Sequence, residues 1–260
     1  MQKYTLQIGD YFCSNADRSS WYVIPGALAP AGNDNCIGIV FKAGKDDGDN
    51  SDYANALTTE GPTLGNAPFH GYVVALTDVN AGGSDLLRWE YGPNNKYNQS
   101  VGTSTKSDDW KGYYNCMKIR EFVDKNSGNG WDMKHFPAAY ACMTYGNRTL
   151  DPDGNGSEAY AWQWPFVAPD NTSGWFLPSC GQLECLYDNT SLLSSQIGKV
   201  KSNTPNAGLK SYIQWFSTSY LYWSSTEANG SRAWELTFRY GRSYYYNKDK
   251  EYGARAILAF

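Results

Sequence analysis

The sequence has only two histidines, no Cys-x-x-Cys pair and no glycine-rich phosphate loop. Each absence removes a class of chemistry. His70 and His135 stand at strand and loop edges with no Asp and nucleophilic Ser in a recognisable setting, so they read as structural or surface residues. "YWSSTE" carries serines but no G-x-S-x-G elbow between strand and helix. Without G-x-G-x-x-G or G-K-[ST], a nucleotide site is unsupported. Lys and Arg number 22 against 26 Asp and Glu, for a net charge of -4. That leaves no basic field for nucleic acid or an anionic membrane surface. No apolar run approaches the length needed to insert in a bilayer. The start, "MQKYTLQIGDYFC", shows no signal peptide. Two readings stay open: a chain kept without export, or an excised piece of a longer exported protein.

Six cysteines stand at positions 13, 36, 116, 142, 180 and 185. A chain of 260 residues needs no disulfide scaffold to build a core, so they read as structural and mostly reduced. Cys180 and Cys185 flank "GQLE", a poor spacing for zinc or for a mutual bridge. Cys13 with Cys36 is the pair to check first for a disulfide.

What the chain does have is aromatic and polar without much charge. It carries 21 Tyr and 10 Trp, only 18% charged residues, and a mean hydropathy of -0.58. This suits extended strands and long loops better than a helical bundle. Strand patterns fall at residues 4–12, 21–27, 36–44, 70–79 and 85–92, and the chain turns to β again after 211. The acidic stretch with Asp46, Asp47, Asp49 and Asp52 reads as a solvated surface excursion. Helical spacing predicts helices over 110–126, 136–146 and 177–189. The first has Ser107, Asp108 or Asp109 available as cap, the second Pro137 in its first turn, and the third a Ser179–Gln182 capping box. "LLSSQIGKV" reads as a broken continuation of the third. The fold class expected is α+β, mostly antiparallel, with two or three helices and long loops.

"DPDGNGSE" puts Asp151, Asp153 and Asn155 in the order of a calcium loop. Its twelfth position is Trp162 rather than Glu, and Asp, Asn and Gly form turns unaided, so a polar turn is the plainer reading. No cofactor is expected, with calcium as the one alternative.

"GWFLPSCGQLECL", then "YLYWSSTE", "AWELTF" and a terminal "ARAILAF", form a more specific constellation. It resembles the C-type-lectin-like fold in the branch shared with formylglycine-generating-enzyme-like domains, and within it the variable proteins of diversity-generating retroelements, the family of the phage tropism determinant. The resemblance is clearest over 110–260. It implies a single C-type-lectin-like domain over 1–260, with 1–35 as strands or a lobe of uncertain membership. In that family the C-terminal strands present the ligand-binding face. An adenine-rich template lets diversified positions become Asn, Tyr, Ser, Asp, Arg, Gly, Ala or Thr, but not Trp, Lys, Glu, Gln or Met. The resemblance thus implies a variable face of Ala228, Asn229, Ser231, Arg232, Thr237, Arg239, Tyr240, Arg242, Ser243, Tyr244, Tyr245, Tyr246 and Asn247. Trp223, Trp234, Glu235, Lys248, Lys250 and Glu251 lie outside that code and are expected to be fixed.

Alternation along "AWELTFRYG" puts Trp234, Leu236 and Phe238 on one face and Glu235, Thr237 and Arg239 on the other. Trp175, Trp223, Trp234, Leu236 and Phe238 are the expected scaffold. Tyr and Arg offer contact area with hydrogen-bonding tips, and a rigid sheet leaves little ordering entropy to oppose binding. The plainer reading is tyrosines that merely cover a sheet. The function expected is a non-enzymatic receptor or adhesin that binds a protein or glycan on another cell. Its location would be a virion tail or a bacterial cell surface, and its oligomeric state is open. Three alternatives are carried. One is a pilus or tail subunit whose terminal sheet is an assembly interface. The second is a relative of formylglycine-generating enzymes, disfavoured because no Cys follows Cys185. The third is a calcium-dependent lectin, disfavoured because Glu-Pro-Asn, Gln-Pro-Asp and Trp-Asn-Asp are missing.

Overall fold

The computed structural model describes residues 4–32, 34–44, 69–80, 84–95, 97–147 and 158–260. In chain order, β1 (Tyr11–Ser14), β2 (Trp21–Ile24), β3 (Cys36–Ala43), β4 (Gly71–Ala75) and β5 (Leu87–Arg88) precede the helices. Then come α1 (Gly112–Asn126), α2 (Pro137–Met143), α3 (Cys180–Asp188), α4 (Thr190–Asn203) and α5 (Ala207–Tyr212). The chain ends with β6 (Leu221–Asn229), β7 (Arg232–Thr237), β8 (Arg242–Asn247), β9 (Glu251–Tyr252) and β10 (Ile257–Ala259). The architecture is α+β, and every strand pair named is antiparallel.

The first sheet runs β10-β4-β3-β1-β2, so the last strand of the chain pairs beside strands near its start. β4 is buried at all five positions and β3 at its first six. Such continuous burial, without alternation, means cover on both faces. One cover is α4, whose Leu193, Ile197 and Val200 form a buried stripe at helical spacing. Gln196 on the same helix accepts from the Tyr11 hydroxyl at 2.7 Å and donates to the carbonyls of Gly9 and Gly26. A second, three-stranded sheet runs β6-β7-β8, and the β5–β9 ribbon joins its β6 edge through a parallel Tyr222–Gly253 bridge.

Five α-helices occur among the described residues, not two or three. "LLSSQIGKV" belongs to a full helix because its apolar spacing finds the first sheet to bury against. α5 is short and capped by Asn206, whose side chain accepts from the Leu209 amide. α1 begins at Gly112, and Asp109 does not cap it. Its carboxylate is buried and accepts from Asn115 and Thr226 instead. At α3, the Ser179 amide donates to Gln182 Oε1 at 2.8 Å, one arm of the expected capping box. The strand expected over 4–12 starts only at Tyr11. Before it, the Asp10 carboxylate gathers the Tyr4 hydroxyl and the Gln7 and Gly26 amides into a turn.

The acidic stretch Asp46–Asp52 and the calcium candidates Asp151, Asp153 and Asn155 lie outside the described residues. Among the described residues, no group of three or more His, Cys, Asp or Glu could hold a metal ion, and no helix is long and apolar enough to cross a membrane. All six cysteines are free thiols, and Cys13 and Cys36 are direct partners across β1 and β3.

Candidate functional site

The β6–β7–β8 sheet is held from below by buried polar and aromatic groups. Lys248 follows β8 and is fully buried. Its Nζ reaches Glu90 at 3.0 Å, Glu227 at 2.6 Å and the Gln99 carbonyl at 2.6 Å, and it lies 4.2 Å from the Trp89 ring. Glu227 also accepts from the Val101 and Thr103 amides. Burial pushes the Glu90 carboxyl up to about 7, against the pull of Lys248. Trp223 is fully buried and donates to the Leu87 carbonyl, while Trp89 donates to that of Ser224. These bonds tie the sheet to the 87–103 segment.

The β7–β8 hairpin is anchored at its tip. Phe238 stacks on Phe216 at 3.8 Å and meets Tyr222 edge-on at 5.6 Å. Gly241 has φ +62, and a side chain there would drive into the Tyr187 ring. With Phe238 turned inward, Arg239 and Tyr240 are left outside, and Tyr240 is 61% exposed.

Directly opposed residues of an antiparallel pair share a face. The register of β7 with β8 therefore sorts the side chains into two sets. Arg232, Trp234, Leu236, Ser243, Tyr245 and Asn247 share one face. Ala233, Glu235, Thr237, Arg242, Tyr244 and Tyr246 share the other. α3 covers part of the first face, where Ser243 donates to Glu184 at 2.7 Å and Leu236 is buried. Trp234 and Tyr245 project where that cover ends. On the second face Glu235 opposes the buried Trp223 of β6, whose ring lies 4.7 Å from Tyr252 of β9.

Of the residues expected to form a variable face, Asn229, Arg232, Arg239, Tyr240, Arg242, Tyr244, Tyr245 and Tyr246 are exposed, but not on one face: strand alternation puts Arg232 and Tyr245 on one side of the sheet and Arg242, Tyr244 and Tyr246 on the other, a correction to the single face expected. Ala228, Ser231, Ser243 and Asn247 are half-buried. Thr237 is a correction: it is buried, opposing Leu221 on one side and Arg242 on the other, with its hydroxyl accepting from the Arg239 amide. Among the expected scaffold, Trp175, Trp223, Leu236 and Phe238 are buried. Trp234 is a second correction: it is only half-buried and meets Tyr245 instead of the core. Of the residues outside the code, Glu235 and Lys248 are fully buried, and Lys250 and Glu251 are exposed.

The exposed tyrosines and arginines lean on one another. Arg232 lies over Tyr245 at 5.6 Å and Arg239 over Tyr240 at 5.1 Å. Such exposed contacts are worth about 0.5–1 kcal/mol, so a partner's acceptor can displace them. Arg232, Arg239 and Arg242 have no carboxylate partner among the described residues.

The sequence pattern put Glu235 on the outward side with Thr237 and Arg239 and Trp234 behind it, and gave no signal for Tyr252, which reaches Trp223 and Tyr246 only through the fold. Glu235 is the residue least explained by folding: it is fully buried, and neither carboxylate oxygen has a hydrogen-bond partner. Burial alone pushes it up to about 8. An unsatisfied buried polar group costs about 1–3 kcal/mol.

No family model matches the chain. A Bacteroides ovatus protein named as a fimbrium tip subunit is 26% identical over 254 residues, which cover 90% of this chain and 41% of that protein. A crystal structure of a fimbrial protein from Bacteroides ovatus superposes with a TM-score of 0.56 at 23% identity, over 98% of this chain and 49% of that one. At this identity the second likeness is one of fold. The chain thus spans less than half the length of either relative. Neither relative is named as a C-type lectin or as a retroelement product. The mixed, mostly antiparallel α+β fold is shared with a fimbrial protein.

Proposed function

We propose that this chain is a non-enzymatic subunit of a cell-surface fimbria, and that it meets its partner through the exposed Tyr and Arg side chains of β6–β8. The observation that carries this reading is the division within that sheet. Tyr240, Tyr244, Tyr245 and Tyr246 are exposed on a frame pinned by Lys248, Trp223 and Phe238. A pinned sheet loses little entropy when it binds. The likeness to a fimbrium tip subunit favours a bacterial surface appendage over a virion tail. The partner is a protein or glycan, either on another cell or on a neighbouring subunit. Residues 1–260 act as one unit in this reading, supported by the shared sheet of β1, β2 and β10. No cofactor enters, and chelation with EDTA is expected to leave binding unchanged.

A second reading keeps the same exposed side chains but makes them diversified, on a C-type-lectin-like frame. The exposure of most positions reachable from an adenine-rich template favours it. Sequencing the locus in sibling isolates decides: changes confined to those positions support it, and changes spread along the chain remove it.

The main reading is tested with the triple change Arg239→Ala, Tyr240→Ala and Tyr245→Ala. Binding of the purified chain to isolated fimbriae of its parent strain, and to a glycan array, is expected to be lost while the unfolding midpoint holds. Undiminished binding of the triple variant to either probe overturns the reading.

A further inference from the structure

Buried acids elsewhere in the described residues have partners. Asp10 gathers Tyr4 and two amides, Asp78 holds Arg255, Asp109 takes Asn115 and Thr226, and Glu90 and Glu227 share Lys248. Glu235 is the exception. Both its oxygens are buried without a partner, in the middle strand of the sheet.

Its surroundings are aromatic. Trp223 stands directly opposite on β6 and Tyr244 directly opposite on β8, and Tyr246 is the next residue of β8 on that face. Tyr252 closes the side, with its ring 4.7 Å from Trp223 and 5.9 Å from Tyr246. Asp249, on the turn after β8, has its own buried Oδ1 without a partner among the described residues. The cover is light: Tyr244 and Tyr246 are 43% and 44% exposed. A carboxyl group set among aromatic side chains, with no cation bonded to it among the described residues, is complementary to an organic cation. Arg242, diagonal to Glu235 on that face, is exposed and has no ion pair among the described residues.

We infer that Glu235, Tyr244, Tyr246 and Tyr252 form a socket for one basic side chain of a partner protein docking on the terminal sheet. Tyr244 and Tyr246 swing aside, the Glu235 carboxyl gives up its proton to solvent, and the incoming ammonium or guanidinium settles on the resulting carboxylate between the rings. This rests on the terminal sheet being the binding surface, and adds what its Tyr244–Tyr246 side selects: a protein partner carrying an exposed lysine or arginine, rather than a neutral glycan.

The test uses the full chain and small probes. Nα-acetyl-lysine methylamide is titrated while the ring signals of Tyr244, Tyr246 and Tyr252 are followed by NMR, with the Nε-acetylated form as the neutral control. The cationic probe is expected to move these signals saturably and the neutral one is not. Glu235→Gln is expected to weaken the cationic probe at least tenfold without lowering the unfolding midpoint. If that variant unfolds early, Tyr246→Ala carries the same test from the exposed cover. Equal response to both probes, no saturable response, or undiminished binding by the variants overturns the socket. Tyr245→Ala, on the opposite face, separates the two readings. Loss of fimbria binding there, with Glu235→Gln still binding fimbriae, removes the socket and keeps the surface.

Discussion

Trp234 and Tyr245 stand directly opposite each other on β7 and β8, with ring centroids 5.1 Å apart and planes at 83°. This edge-to-face pair lies on the side of the sheet that α3 covers only in part. Trp234 donates to the Thr105 carbonyl at 3.3 Å, and Arg232 lies over the Tyr245 ring at 5.6 Å. A residue expected to anchor the sheet from behind instead supports the exposed tyrosine. The pair adds about 0.5–1.5 kcal/mol beyond burial. Trp234→Ala is therefore expected to cost less stability than Trp223→Ala, for which about 3–5 kcal/mol is expected. Urea unfolding of both variants gives the comparison, and equal losses would place Trp234 in the core.

Lys248 neutralises two glutamates in a site closed to water. Lys248→Met leaves Glu90 and Glu227 buried together without a cation, and is expected to cost about 3–5 kcal/mol. The triple change Lys248→Met, Glu90→Leu and Glu227→Leu is expected to recover part of that loss. Thermal unfolding of the two variants measures the difference.

Glu235 makes stability depend on pH in a defined direction. An ordinary glutamate titrates near 4.5, and burial pushes this one up to about 8. The folded state favours the neutral carboxyl, so its contribution is complete below 4.5 and is lost as the pH rises through about 8. Glu90, raised to about 7, acts in the same sense, whereas Tyr252, raised to about 12, stays neutral across this window. Glu235→Gln is expected to remove about 1–3 kcal/mol of the fall. Urea unfolding at pH values on either side of the window should show a flatter curve for the variant.

Gly241 serves the hairpin tip twice, by its positive φ and by its closeness to Tyr187. Gly241→Ala is expected to destabilise by about 1–3 kcal/mol and to loosen Arg239 and Tyr240. Thermal unfolding, with ring NMR signals of Tyr240, reports both effects.

Cys13 and Cys36 are direct cross-strand partners, and both are buried. That register brings their Cα atoms within bridging range. Exposed to a low-molecular-weight disulfide oxidant, the chain is expected to lose two hydrogens and gain about 2–4 kcal/mol. Intact mass, peptide mapping and unfolding with and without reductant check this. A bridge elsewhere, or none, refutes the pairing.

The residues alone determined much of the local structure. β-branched runs gave β3 and β4, helical spacing gave α1 to α3 with the capping box legible at α3 and the caps of α1 not, and Pro25 ended β2. Local patterns reflect steric preference and periodicity, which act over a few residues. Alternation also divided β7 into two faces, but it carries no information on what covers each one. Only the tertiary structure decided that, by laying α3 over part of one face and the β5–β9 ribbon beside the other. Glu235 and Thr237 thereby became interior, and Trp234 was left at the surface. The pairing of β10 with β4 and the Lys248 network join residues far apart in the chain. Burial and charge neutralisation are properties of space around a side chain, and that space exists only once distant segments have met.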